Sequence, residues 1–201
     1  FSICIINARK MTQLKDDELD ILVKNFYNDT FLVDQNACSS PRLIVWYKSK
    51  PNDGRQRFWK RLSKKISNYN LNNTLSFEKY TILCNILSGG KVKLVSKLNE
   101  SKIYLTKVSS LKNISFLSNL KLGIFTEYST KSLEDVFKID VSALQTLSYF
   151  GFTKEELLDV FSKNKKRSID RIVPIGSTLE MDMDWDGFPV PHILSRIVNV
   201  K

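Results

Sequence analysis

Glycine is scarce in this 201-residue chain. Only seven occur, and nowhere do they form the G-x-G-x-x-G run that lets a backbone approach a dinucleotide pyrophosphate. Gly89-Gly90 is the one pair, and no Lys-Ser or Lys-Thr follows it, which excludes a P-loop. Histidine is scarcer: His192 stands alone, in a Pro-His-Ile-Leu context that reads as a structural or surface position. With no C-x-x-C or H-x-x-x-H, a zinc site or a cysteine–histidine dyad would need ligands gathered from unrelated segments. The absence of G-x-S-x-G sets serine-hydrolase chemistry aside. No apolar run reaches the roughly 18 residues of a membrane-spanning helix. The three cysteines, odd in number and irregularly spaced, argue against a disulfide framework and for a reducing, cytoplasmic compartment.

What is present is an ordinary globular inventory, with 42% hydrophobic residues and a net charge of +10. The length suits one domain, or one with a small annex, and allows a real core. A basic balance invites a nucleic-acid reading through counterion release. Arg57-Phe58-Trp59-Lys60-Arg61 sharpens it, because interleaved aromatics and bases can stack a single strand. The lysines are scattered, however, and an amphipathic helix with Phe58, Leu62 and Ile66 inside and bases outside gives the same pattern. No nucleic-acid partner is expected. Asp182-Met183-Asp184-Trp185-Asp186-Gly187 has the opening spacing of a calcium loop, but Ile193 stands where the closing Glu is required. Pro189 and Pro191 are also expected to obstruct the helix that should follow, so no metal is expected.

The chain reads as alternating strands and helices. Phe1 to Ile6 is a continuous apolar strand of the kind buried on both faces of a parallel sheet. Asp16 to Tyr27 carries Leu19, Leu22, Val23 and Phe26 at helical spacing. Strand Leu43 to Tyr47, an exposed turn through Gly54, helix Arg55 to Tyr69 and helix Ser76 to Leu87 follow, the last stopped by Gly89-Gly90. Lys91 to Leu98 and Lys102 to Val108 read as strands, and Ser109 to Leu120 is too mixed to assign. Gly123 to Tyr128, Leu144 to Phe150 and Asp170 to Ile175 are further strands, separated by helices over Ser132 to Phe137 and Thr153 to Ser162. Lys163 to Ser168 is an exposed connection. The pattern predicts an α/β fold with a mostly parallel sheet flanked by helices. Cys4 and Cys84, both in apolar runs, are expected in the core.

The third cysteine lies in Val33-Asp34-Gln35-Asn36-Ala37-Cys38-Ser39-Ser40-Pro41-Arg42, between a helical pattern and a strand. Pro41 fixes its own φ and biases Ser40 away from the helical region, so the chain must turn just after the thiol. The backbone N–H groups of Cys38, Ser39 and Ser40 can then converge on one point, as a tetrahedral acyl intermediate requires. By residues alone, Cys38 is either such a nucleophile or a small buried hydrophobe.

Asp34-Gln35-Asn36-Ala37-Cys38-Ser39-Ser40-Pro41 resembles the nucleophile motif of the LuxC-type fatty acyl-CoA reductases, a branch of the aldehyde dehydrogenase superfamily. Asp170-Arg171-Ile172-Val173-Pro174-Ile175-Gly176, Trp185-Asp186-Gly187 and Leu194-Ser195-Arg196 are similar to that family's C-terminal signature, with Gln145-Thr146 of its middle region between. The resemblance implies an aldehyde dehydrogenase-like catalytic domain over residues 1–180. Residues 181–201 would be a structural tail that joins subunits in a homo-oligomer. Because the family's cofactor domain lies largely before the segment where Phe1 begins, the chain is expected to be a fragment of a longer polypeptide. The implied reaction is NADPH-dependent reduction of a long-chain acyl-CoA, or of an acyl group delivered by an acyl-protein synthetase, to a fatty aldehyde through a cysteine thioester. Cys38 is the implied nucleophile, with its own N–H facing the oxyanion and Gln35 and Ser39 shaping the thiol pocket. Glu127 is the nearest candidate for the acid that contacts the nicotinamide ribose, although Ile-Phe-Thr-Glu-Tyr departs from the family pattern. The alternative from a different class is a non-catalytic basic module, for nucleic acid or an acidic partner, with an idle thiol.

Overall fold

The computed structural model describes residues 1–50, 54–137, 139, 144–163 and 169–198. Strand β1 (Ser2–Asn7) is followed by a short helix α1 (Ala8–Thr12), then by α2 (Asp16–Thr30) and strand β2 (Pro41–Tyr47). Helices α3 (Arg55–Lys65) and α4 (Asn73–Ser88) lead to strands β3 (Lys93–Leu98), β4 (Ile103–Lys107) and β5 (Ile124–Thr130). A one-turn helix α5 (Glu134–Phe137), strand β6 (Thr146–Phe150), helix α6 (Lys154–Ser162) and strand β7 (Arg171–Pro174) complete the main body. A small hairpin of β8 (Asp184–Trp185) and β9 (Phe188–Pro189) runs into α7 (Val190–Leu194).

Seven strands form one sheet in the order β3-β4-β5-β2-β1-β6-β7. Every neighbouring pair is parallel except β3 with β4 at the edge. The sheet is therefore mostly parallel and flanked by helices, as the order of elements predicts. The alternation of side chains along a strand divides the core in two. Ile3, Ile5, Leu43, Val45, Ile124 and Leu147 face one layer with Leu83 and Ile86 of α4. Cys4, Ile6, Ile44, Trp46, Leu105 and Phe125 face the other, against Phe26 of α2 and Phe58, Trp59 and Leu62 of α3. Strand β1, apolar throughout, feeds both layers, which is why it sits in the middle.

Local chemistry fixes the elements. The Lys15 N–H donates to the Glu18 carboxylate at 2.8 Å, and Asp16, Asp17 and Glu18 place negative charge against the amino end of α2. Thr153 caps α6, accepting from the Glu156 N–H at 3.1 Å. The basic, aromatic stretch of α3 is a buried seam: Phe58 and Trp59 are in the core, and Arg57 and Arg61 ion-pair with Asp16. Phe58 and Trp59 are thus held within the fold rather than displayed on an open basic surface.

Two expectations need correction. Cys84 is exposed rather than in the core, because α4 turns Lys79, Leu83 and Ile86 inward and leaves Phe77, Tyr80 and Cys84 on its outer face. The prolines near residue 190 do not forbid a helix, since α7 begins beside Pro189 with Pro191 in its first turn, where the missing N–H has no intrahelical acceptor. Asp186-Gly187 serves a hairpin: both residues are left-handed, with φ of 52° and 79°, as a two-residue turn between paired strands requires. Of the Lys163–Ser168 connection, residues 164–168 lie outside the described residues, as do residues 51–53 of the turn before α3.

Candidate active site

The stretch between α2 and β2 is built by a sequence of short, well-held turns. After α2, Phe31–Val33 forms a single 3-10 turn, and Asp34 and Gln35 then adopt left-handed backbones with φ of 51° and 57°. Such a pair of non-glycine residues carries strain, and the surroundings hold it in place. The Gln35 N–H donates to Thr30 O at 2.7 Å and the Leu122 N–H to Asp34 O at 3.0 Å, while the Tyr69 hydroxyl donates to the Asp34 carboxylate at 2.6 Å.

Gln35 is buried, and its side chain clamps three backbone groups. Nε2 donates to Pro41 O at 2.9 Å and to Ile124 O at 3.2 Å, and Oε1 accepts from the Gly123 N–H at 3.0 Å. The amide ties the start of β2 to the start of β5 and has no donor left over for an oxyanion. Ala37 to Ser40 is a tight turn closed by the Ser40 N–H donating to Ala37 O at 3.0 Å, with Cys38 and Ser39 at its corners. The expected convergence of three N–H groups is therefore reduced to two, because the Ser40 N–H is spent inside the turn. Neither the Cys38 nor the Ser39 N–H donates to a backbone carbonyl among the described residues.

Cys38 is exposed, and Ser39 beside it is buried at 3% exposure. Two hydroxyls pin the turn: Ser2 Oγ donates to Cys38 O at 2.8 Å, and Ser40 Oγ donates to Asp29 O at 2.7 Å. Arg42 lies within electrostatic range of the Cys38 sulfur; burial draws its guanidinium below the usual range, and a Cys38 thiolate opposes that shift. The guanidinium donates to Ser118 O.

Asp29, which the sequence reading overlooked, joins this turn to the C-terminal signature. Its buried carboxylate accepts from the Gly176 N–H at 2.7 Å and the Thr178 N–H at 3.2 Å. Burial pushes its pKa up to about 6, against the pull of those hydrogen bonds. The available signal was an acid in the last turn of a helix, where the helix dipole disfavours it. Gly176 has φ of 106°, and a Cβ there would come within 2.8 Å of Asn25, which explains the glycine of that motif.

Glu127 is not brought to Cys38. It lies within β5, opposite Ile44 of β2, and is buried between two tryptophans, its Oε1 accepting from Trp46 Nε1 at 2.7 Å and Trp59 Nε1 at 2.8 Å. Cys38 precedes the first residue of β2, at the amino ends of the parallel strands. His192 is exposed, and Trp185 lies under the Arg171 guanidinium at 4.3 Å. No group of three or more potential ligands among the described residues is placed to hold a metal ion. No helix among them is long and apolar enough to cross a membrane.

Sheet order, flanking helices and a cysteine turn leading into a parallel strand together define an aldehyde dehydrogenase-like α/β domain. Comparison with solved structures gives the same fold. The chain is similar to an NAD-dependent aldehyde dehydrogenase from Sinorhizobium meliloti, with 11% identity and a TM-score of 0.55 over 86% of this chain and 36% of that one. It is also similar to a gamma-glutamyl-gamma-aminobutyraldehyde dehydrogenase from Burkholderia cenocepacia, with 11% identity and a TM-score of 0.59 over 92% of this chain and 39% of that one. An indole-3-acetaldehyde dehydrogenase from P. syringae, solved with NAD+, matches at 11% identity and a TM-score of 0.56 over 92% of this chain and 39% of that one. The chain thus spans well under half the length of these structures. No family model and no curated protein matches the sequence.

Proposed function

We propose that this chain is the nucleophile-bearing part of an NADPH-dependent reductase of long-chain acyl thioesters, acting on acyl-CoA or on an acyl group handed over by an acyl-protein synthetase. The observation that carries this reading is the exposed thiol of Cys38, fixed in a tight turn with two undonated N–H groups and an arginine nearby, on a fold of the aldehyde dehydrogenase type. The Cys38 thiolate attacks the acyl carbonyl, forming a new sulfur–carbon bond as the bond to the incoming thiol breaks. The departing thiolate takes a proton from solvent. The N–H groups of Cys38 and Ser39 are the donors this turn offers the tetrahedral oxyanion. Gln35 holds the turn and Ser39 lines its buried side, so both position the thiol rather than react.

When bound, the nicotinamide cofactor supplies the hydride that takes the thioester to the aldehyde level. Around Cys38, Gln35 and the Ser40 N–H are already engaged, and the two open N–H groups of the turn, those of Cys38 and Ser39, face the oxyanion in this reading, which leaves no further amide of the turn for a pyrophosphate. We assign that binding to residues outside this sequence. The exposed apolar side chains of Met181, Phe188, Leu194 and Ile197 support the assignment of the tail to a homo-oligomer contact.

The test uses tetradecanoyl-CoA and mass spectrometry of the digested protein. A hydroxylamine-labile acyl group should appear on Cys38 and be lost in Cys38→Ser, while Cys84, also exposed but on a helix surface, stays unmodified. Equal acylation of both thiols, or none on either, would overturn the proposal.

A further inference from the structure

A cavity of about 600 Å³ opens between α3 and the β3–β4 pair, within the size range of small-molecule sites. It runs along the β3–β4 pair beside α3, from Leu98, which pairs with the first residue of β4, to Lys107, the last residue of β4. Trp59, Val95, Leu98 and Leu105 form apolar walls. Arg55, Lys60 and Lys107 bring positive charge to its lining.

The buried carboxylate of Glu127, only 4% exposed, also lines this space. Its Oε1 is saturated by the two indoles, but Oε2 accepts no hydrogen bond from the described residues and is not among the atoms sealed within packing. A carboxylate oxygen that is reachable and not yet engaged accepts hydrogen bonds, so the cavity is suited to a ligand that brings an N–H or O–H group to this oxygen. A phosphate cannot occupy the same spot, because the carboxylate repels it, whereas the three cations attract it. The space between them is bounded by an indole and aliphatic side chains, which suits a flat heterocycle.

We infer that this cavity binds a nucleoside monophosphate bearing an exocyclic amine. The amine donates to Glu127 Oε2, the base lies along Trp59 and Leu105, and the phosphate meets Lys60 and Lys107. The site is independent of the Cys38 chemistry, and failure of either assignment leaves the other standing.

Adenosine 5′-monophosphate titrated against the full chain should quench tryptophan fluorescence in a saturable way, with calorimetry confirming one site. Inosine 5′-monophosphate, which carries a carbonyl in place of the amine, should bind about tenfold more weakly. Glu127→Gln keeps an amide oxygen for both indoles but turns an NH2 toward the base, so the preference should swing from the adenine to the hypoxanthine nucleotide. The Lys60→Ala, Lys107→Ala double variant, at exposed positions that leave the fold intact, should weaken the monophosphate about tenfold and leave adenosine unchanged. Absence of saturable binding at millimolar nucleotide, equal binding of the two nucleotides, or an unaltered preference in Glu127→Gln would each overturn the inference.

Discussion

Gln35→Ala would withdraw three hydrogen bonds at once, those to Pro41 O and Ile124 O at 2.9 and 3.2 Å and that from the Gly123 N–H at 3.0 Å. Gln35 is 1% exposed, so water does not replace them in the folded chain. At about 1 kcal/mol net for each bond, with an added penalty for groups left dry and unpaired, the loss comes to about 3–5 kcal/mol. That is a large share of the roughly 5–15 kcal/mol that holds a domain folded. The left-handed pair Asp34 and Gln35 is strained, and the clamp is part of what holds it. Urea unfolding followed by tryptophan fluorescence should show a clearly lower midpoint. Iodoacetamide alkylation should show the Cys38 to Cys84 labelling ratio falling, because the turn moves relative to Arg42 while the surface of α4 does not change. Gln35→Glu should be at least as damaging at neutral pH, because it points a carboxylate oxygen at two carbonyls. A loss below about 1 kcal/mol with an unchanged labelling ratio would refute the view that this amide holds the nucleophile in place.

Two further outcomes concern Lys79 and Gly176. Lys79 is buried and donates to Lys102 O at 2.7 Å, and burial pulls its ammonium down to about 7. The unfolded chain keeps that proton to about pH 10.4, so stability should rise with pH above 7, by about 2 kcal/mol between pH 7 and 9. Lys79→Met should lack that slope, so the difference between variant and parent should change with pH, and parallel curves for the two proteins would contradict the assignment. Gly176→Ala introduces a Cβ at φ of 106° and within 2.8 Å of Asn25, and should cost about 2–4 kcal/mol. A thermal midpoint unchanged by this substitution would mean that the backbone relaxes freely there.

Much of the framework could be read from residue order. Continuous apolar runs such as Ile3 to Ile6 and Leu43 to Trp46 lie buried between layers, where a strand must be apolar on both sides, and the spacing of Leu19, Leu22, Val23 and Phe26 defined α2. The turn at Cys38 followed from Pro41, while the residues alone left open whether the thiol is exposed or buried. What escaped was decided by tertiary geometry. Helix α1 is only five residues long and is started by the Asn7 side chain accepting from the Lys10 N–H, too short for periodicity to register. The run Ile82-Leu83-Cys84-Asn85-Ile86-Leu87 looks uniformly apolar, yet a helix presents only one face, and its angular step puts Cys84 outside. Gln35 looked like a lining residue, but its reach to Gly123 and Ile124 depends on a strand pairing distant in sequence. Glu127 was singled out by position, whereas the register of β5 sets it against two indoles. Its role thus depends on Trp46 and Trp59, which no local motif connects to it.

The hydroxyl of Ser2 that donates to Cys38 O also accepts from the Thr146 N–H at 3.1 Å, and the Asp29 carboxylate receives its N–H groups from Gly176 and Thr178. A ribosome delivers residues from the amino end onward, so a nascent chain that has just exposed Cys38 still lacks both anchors. Early-made strands can pair before then, but the thiol-bearing turn acquires its last supports only after residue 178 has emerged. Its sulfur thus leaves the ribosome as an ordinary cysteine and acquires its finished setting only once the segment around residue 178 has followed it out.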